Sequence, residues 1–271
     1  MLALATVAAL GAVAPAGASV PAAGGATHVA PGSAGTGKGP LPIAAGRSPQ
    51  VAVPGAGQFF YGSVYQYGTP EGAWGYFTVT KPALDPRDSH TLAEMNVSSA
   101  DLKQAVEIGW TVDRGVNGDD LPHLFVFYWV DGQPQCYNCG LVPYDTTARP
   151  GMVLSVGSTH QFTIRHFGGR WWIGYDNTWM GYFPDSWWAG RYTQAGLVEW
   201  YGEVAAPSST PCSDMGNGQL GSSLDAARIT GIGYWNGPAV NLTVIPHSYT
   251  QAYSATVYAQ NNVRYGGPGF C

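Results

Sequence analysis

The chain has 271 residues, 45% hydrophobic and 13% aromatic, which is enough apolar surface to bury a sizeable core. Only 11% are charged while 38 are Gly and 20 are Pro, a balance that excludes long salt-laced helices and favours short strands joined by tight turns. A net charge of −5 with no basic run leaves no electrostatic footprint for a phosphate backbone, so nucleic acid is excluded as a partner.

Residues 1–18 read as a signal peptide: an apolar stretch from Met1 to Ala14, then Pro15 and the small-residue site Ala16-Gly17-Ala18. The stretch falls short of the roughly 20 apolar residues that span a membrane, so a secreted, extracellular protein without a membrane anchor after signal removal is expected. Residues 19–57 are Ala, Gly, Pro and Ser with almost no bulky side chains. Such a composition cannot offset its ordering entropy, and it reads as a disordered linker or a short pro-segment. At Gln58 the chain turns abruptly aromatic and β-branched, and it stays so to the end, which sets the folded domain at 58–271.

Within that domain, period-two alternation marks strands over Ala73–Val79, Val106–Val112, His123–Val130, His160–Phe167, Trp171–Tyr175, Leu197–Val204, Ile229–Trp235 and Ala255–Ala259. Gly168-Gly169 is a hairpin signal, because paired glycines tolerate the positive φ of such turns. Only Ser99–Gln104 and Asp185–Arg191 look helical, and both are short. The expected fold is all-β, an antiparallel β-sandwich of two packed sheets.

Four cysteines, Cys136, Cys139, Cys212 and Cys271, suit two disulfides in an exported chain. Three connectivities are open, and the reading favours a local Cys136–Cys139 clip with Cys212–Cys271 anchoring the C-terminus. The lone C-x-x-C is a weak zinc or redox signal. No G-x-S-x-G or H-E-x-x-H string is present, and the six histidines, His123 among them, are dispersed and read as structural. Asn96-Val-Ser98 and Asn241-Leu-Thr243 are potential glycosylation acceptors.

The carboxylates carry more. In Val106-Glu-Ile-Gly-Trp-Thr-Val112 the alternation sends Val106, Ile108, Trp110 and Val112 to one face and Glu107 to the other. In Leu197-Val-Glu-Trp-Tyr-Gly-Glu-Val204, Glu199, Tyr201 and Glu203 share a face. Two carboxylates meeting in a cleft cannot both ionise readily, which is acid–base machinery. A glutamate on the polar face of a strand is, however, ordinarily solvated surface, and alternation alone does not separate the two readings.

Four strings in order resemble the neprosin family of glutamic peptidases: Val106-Glu-Ile-Gly-Trp-Thr-Val112, Gly118-Asp-Asp-Leu-Pro-His-Leu-Phe-Val-Phe-Tyr-Trp129, Cys136-Tyr-Asn-Cys-Gly140 and Trp200-Tyr-Gly-Glu-Val204. Asp214-Met-Gly-Asn-Gly218 and Tyr265-Gly-Gly-Pro-Gly269 extend the likeness across the domain. The resemblance implies a catalytic pair at Glu107 and Glu203, with Glu199 a nearby decoy. It also implies a long cleft, cleavage of peptide or protein substrates after proline, an acidic optimum, and no cofactor or metal. Tyr201 stands where the family has glycine, and the Cys136–Cys139 loop is shorter than the family's. A monomer is expected. The alternative is a secreted carbohydrate-binding sandwich, or a glycosidase using the same paired carboxylates.

Overall fold

A computed structural model gives the structure, which describes residues 38–45 and 57–271. The signal-peptide expectation lies outside the described residues, as does most of the 19–57 stretch. In chain order the longer strands are β1 (Gln58–Tyr67), β2 (Gly72–Thr78), β3 (His90–Ser98), β4 (Ala105–Asp113), β5 (His123–Val130) and β6 (Thr159–His166). They continue as β7 (Arg170–Tyr175), β8 (Thr178–Pro184), β9 (Leu197–Ala206), β10 (Ala227–Trp235), β11 (Ser254–Ala259) and β12 (Asn262–Gly266).

All described pairings between strands are antiparallel, and the strands form two sheets. One runs β1-β9-β3-β4-β5, with the two-residue strands Thr243–Val244 and Gln133–Pro134 at its edges. The other runs β11-β12-β10-β2-β6-β7-β8, with Val142–Pro143 beyond β8. The fold is the expected all-β sandwich. Its core lies between the sheets, where Val106, Ile108, Trp110 and Val112 of β4 meet Phe77, Phe162 and Ile164 from the opposite layer. Alternation thus aimed β4 correctly, since one side-chain row of a strand is committed to the core by its period of two.

Two turns show how local chemistry sets the frame. Gly168 and Gly169 have φ of 60° and 72°, and the Phe167 N–H donates to the Arg170 carbonyl at 3.0 Å, closing the expected hairpin. Ser99–Gln104 is not a helix. The Asp101 carboxylate takes the Ser99 hydroxyl at 2.6 Å and the Lys103 N–H at 3.1 Å, and Leu102 sits at φ 62°, so the segment is the turn joining β3 to β4. Short Ser and Asp side chains that bond nearby backbone favour turns over helix. Of Asp185–Arg191, only Asp185–Trp188 forms a 3-10 turn, ended by Ala189 at φ 51°. The disulfides join Cys136 to Cys139 and Cys212 to Cys271, with Cα separations of 5.7 and 5.2 Å.

β3, β4 and β9 are buried along their whole length on both faces. One face is the sandwich core. The other is covered by residues 38–43, by Tyr137 packed on Phe125 and Phe127, and by Ile245 packed with Ile43 and Leu197. The carboxylates of the sequence reading lie beneath that cover.

Candidate active site

Strand register brings the carboxylates together. Three rows cross the covered face of β4, β3 and β9 in turn: Glu107, Asn96, Glu199; then Gly109, Glu94, Tyr201; then Thr111, Leu92, Glu203. Glu107 and Glu203 therefore lie on a diagonal with Glu94 at its midpoint. Glu199 sits across from Glu107 rather than beside Glu203. All four glutamates have no exposed surface, so the expectation of a polar face is met by buried groups and not by solvated ones.

Glu107 is oriented by two donors on a single oxygen: the Trp129 indole N–H reaches Oε1 at 2.8 Å and the Asn96 amide reaches it at 3.0 Å. Asn96 is buried, which removes it as a glycosylation acceptor in the folded chain, whereas Asn241 is exposed. Glu203 is held from the other side, with His90 Nε2 2.7 Å from its Oε1. His90 Nδ1 lies 3.7 Å from Asp113, whose other oxygen accepts from the Gly115 and Val116 N–H groups at the start of the short helix Arg114–Asn117. That capping contact fixes the far end of the chain Asp113–His90–Glu203.

The cluster closes around a cation. The Lys38 ammonium pairs with Glu94, lies 3.3 Å from Glu203 Oε2 and 3.6 Å from Glu107 Oε2, and stands 5.4 Å from the centre of the Tyr201 ring. Tyr201, the departure from the family's glycine, is thus the floor under the ammonium. Tyr137, presented by the clipped Cys136–Cys139 loop, packs edge-on to Phe127 and lies 6.5 Å from the His90 ring.

These surroundings bias the carboxyls in opposite directions. Burial raises Glu107, and its neighbours Lys38 and Trp129 offset this only in part, so it titrates above the ordinary glutamate range. Burial acts on Glu203 as well, but Lys38 and His90 outweigh it and hold Glu203 below that range. Burial and the nearby Glu107 charge push Glu94 well up. Burial pushes Glu199 to about 8 against the Ile43 N–H that donates to it at 2.9 Å. For Lys38 the three carboxylates overcome the desolvation that disfavours its charge, and its pKa is raised.

Sequence reasoning placed Glu107 and Glu203 but missed His90, Glu94, Asn96 and Lys38. Thr91, Ala93, Met95 and Val97 alternate with the first three and face away from the cluster, a signal within β3 that could have found them. His123 bonds the Gly151 carbonyl and Asp119 at 2.8 and 2.9 Å, tying down a loop as expected.

Residues 87–268 match the Neprosin family. The chain belongs to that family. Membership supports a hydrolase of the glutamic-peptidase type, and the matched span contains Glu94, Glu107, Glu199 and Glu203. Among solved structures, scytalido-glutamic peptidase with a transition-state analogue inhibitor is similar with a TM-score of 0.43 at 9% identity, over 77% of this chain and 97% of that one. Chicken galectin 2 is similar with a TM-score of 0.31 at 8% identity, over 53% of this chain and 96% of that one.

Proposed function

We propose that the protein is a secreted glutamic endopeptidase in which Glu203 and Glu107 activate water against a peptide bond, preferentially after proline and in acid. The observation that carries this reading is the pair of buried carboxyls with opposite bias, both aimed at one ammonium-sized site. A water in that site is within reach of both.

Glu203, ionised, takes a proton from the water as its oxygen attacks the scissile carbonyl carbon. Glu107, protonated on Oε2, donates to the oxygen on which negative charge develops. The tetrahedral adduct then collapses: the C–N bond breaks, the amine nitrogen takes the proton held by Glu203, and the adduct's hydroxyl returns a proton to Glu107. His90 keeps Glu203 a base after any cation has left, and Trp129 with Asn96 leaves only Oε2 of Glu107 free to carry the proton.

Preference for proline is supported by flat walls, since Tyr61, Tyr137 and Tyr201 line the same face, and apolar rings suit a pyrrolidine. Secretion is supported by the leader-like residues 1–18 and by the two disulfides, which persist in oxidising compartments. The test is cleavage of matched peptides with and without proline between about pH 3 and pH 7, a range chosen to span carboxyl titration. Glu107→Gln and Glu203→Gln should each lower kcat at least about 100-fold, the scale of a general acid or base, with unchanged far-ultraviolet dichroism. Near-wild-type cleavage by either variant would overturn the pair.

A further inference from the structure

The outer face of the second sheet lies on the far side of the sandwich from Glu107 and Glu203, and it is aromatic. Two register rows cross it from β10 through β2, β6 and β7 to β8: Gly233, Trp74, Thr163, Gly174, Trp179; then Trp235, Gly72, Arg165, Trp172, Tyr182. Neither row holds a Leu, Ile, Val or Met. Glycine lets the indoles lie down: a Cβ on Gly233 would run into the Trp74 ring, and one on Gly174 would press on Trp179 at 3.2 Å. Each of these rings rests on bare backbone and stays half-buried, with its other face toward solvent. Trp235 is pinned, since its indole N–H donates to Thr163 Oγ1 at 3.0 Å and the Arg165 guanidinium lies 4.5 Å over its ring. Glu71 holds that guanidinium through Nε at 3.2 Å and Nη2 at 2.9 Å. At the other end the exposed Phe167 ring stacks on Trp172, 5.2 Å away with 10° between the planes. Scattered surface rings need no explanation, but a contiguous aromatic face fixed by polar contacts marks a binding surface.

Arg170 says what would sit there. Its guanidinium lies 4.5 Å over the Tyr182 ring and 5.9 Å over Trp172. Arg87, Arg114, Arg165 and Arg191 each lie beside a carboxylate, whereas Arg170 has no carboxylate partner among the described residues. A guanidinium laid over rings with its fork unfilled suits a carboxylate, which it takes with two parallel N–H donors. We propose that this face binds an acidic polysaccharide, a chain of hexuronate sugars. A pyranose ring has an apolar face of C–H bonds and a rim of polar groups. Trp179 takes the C–H face of one sugar, Arg170 takes a carboxylate beside it, and Trp74 and Trp235 take sugars further along. Rings already fixed by the protein lose little freedom when a ligand stacks on them, and the C–H face gains by leaving water. Four interstrand steps of about 4.8 Å make the strip about 19 Å long, room for several sugars. Binding here does not depend on the peptidase reading, because the two faces are on opposite sides of the molecule. A chain anchored through this one keeps Glu107 and Glu203 turned away from the polysaccharide.

The test is calorimetric titration of the full chain at about pH 6, where carboxylates are ionised, with an oligomer of galacturonic acid and with its methyl ester. The acid oligomer should bind at least about tenfold more tightly than the ester, the scale of one charge-assisted pair. Arg170→Gln should bring the two to equal affinity, and Arg170→Lys should keep part of the difference. Trp179→Ala should weaken both by about fivefold or more, as loss of an aromatic anchor does, with unchanged far-ultraviolet dichroism. No binding of the acid oligomer, equal affinity of the unaltered chain for acid and ester, or a preference that survives Arg170→Gln overturns the proposal. Binding of a proline-rich peptide that Trp179→Ala abolishes, with no binding of the oligomer, also overturns it and gives the face to a polypeptide. Arg170→Gln should cleave a proline-containing reporter as fast as the unaltered chain. Oligomer binding as expected, with no cleavage by any of these proteins, upholds the site and overturns only the peptidase reading.

Discussion

Glu107 and Glu203 have the same side chain and lie two strands apart, yet they are surrounded differently. Glu203 has a histidine and Glu107 a tryptophan, and each partner bonds the oxygen directed away from the shared site. Under the proposed mechanism this asymmetry makes Glu203 the base and Glu107 the acid, which a pH profile tests. His90→Asn withdraws a group that favours ionised Glu203, so Glu203 titrates higher and the acid limb of kcat moves toward neutrality, by about one pH unit on the scale of a single close charge. Trp129→Phe withdraws a donor from Glu107, so Glu107 also titrates higher, but because the proposed mechanism uses it protonated, the alkaline limb should move up instead. A loss of packing alone would lower the rate at every pH and shift neither limb. If His90→Asn moves the alkaline limb, the two roles are reversed.

At the scale of elements, β4 supplies the clearest constraint on the site. Gly109 lies in the central row beside Glu94, where a Cβ would meet the Ala93 carbonyl and would stand 2.7 Å from the Glu94 Cβ. Gly109→Ala should therefore push β3 and β4 apart, lower stability by about 1–3 kcal/mol as overpacking does, and displace Glu94 from Lys38. Chemical denaturation with a measured midpoint and slope checks the cost, and a midpoint within error of the unaltered protein would sink it. The same strands show what a sequence conveys. Alternation in Val106–Val112 and Leu197–Val204 was legible because each strand carries its own period, and both strands aim as expected. Their neighbour β3 was not singled out, although Thr91, Ala93, Met95 and Val97 alternate with His90, Leu92, Glu94 and Asn96, because small and polar residues blur the contrast. Nor does any local pattern state that β3 lies between β9 and β4. That order is a long-range fact, and it is what brings His90 and Glu94 to the pair. Lys38 was illegible for a related reason. A Gly-Pro-rich stretch has no core of its own to announce, and its partners lie 56 to 165 residues further along the chain.

For the molecule as a whole, the burial that raises Glu94, Glu107 and Glu199 makes their part of the stability depend on pH in a direction opposite to the usual acid denaturation. Glu199 is raised from 4.5 to about 8 by burial, so between those limits the folded chain binds a proton that the unfolded chain has released. Its contribution is complete below about pH 4.5 and is lost as pH rises toward 8, by about 1.4 kcal/mol per pH unit for one such group. Glu94, raised for the same reason, adds to that slope. Glu203 works the other way: held low by Lys38 and His90, it stabilises the fold above its unfolded value and ceases to do so as pH falls through its folded one. The two trends meet in mild acid, where the fold should be most stable. Glu199→Gln keeps an oxygen for the Ile43 N–H but cannot ionise. Its melting temperature should match the unaltered protein near pH 4.5 and exceed it near pH 8 by several degrees, at about 2–4 °C per kcal/mol for a domain of this size. Identical melting curves for the two proteins at both pH values would mean that Glu199 does not hold its proton in the folded chain.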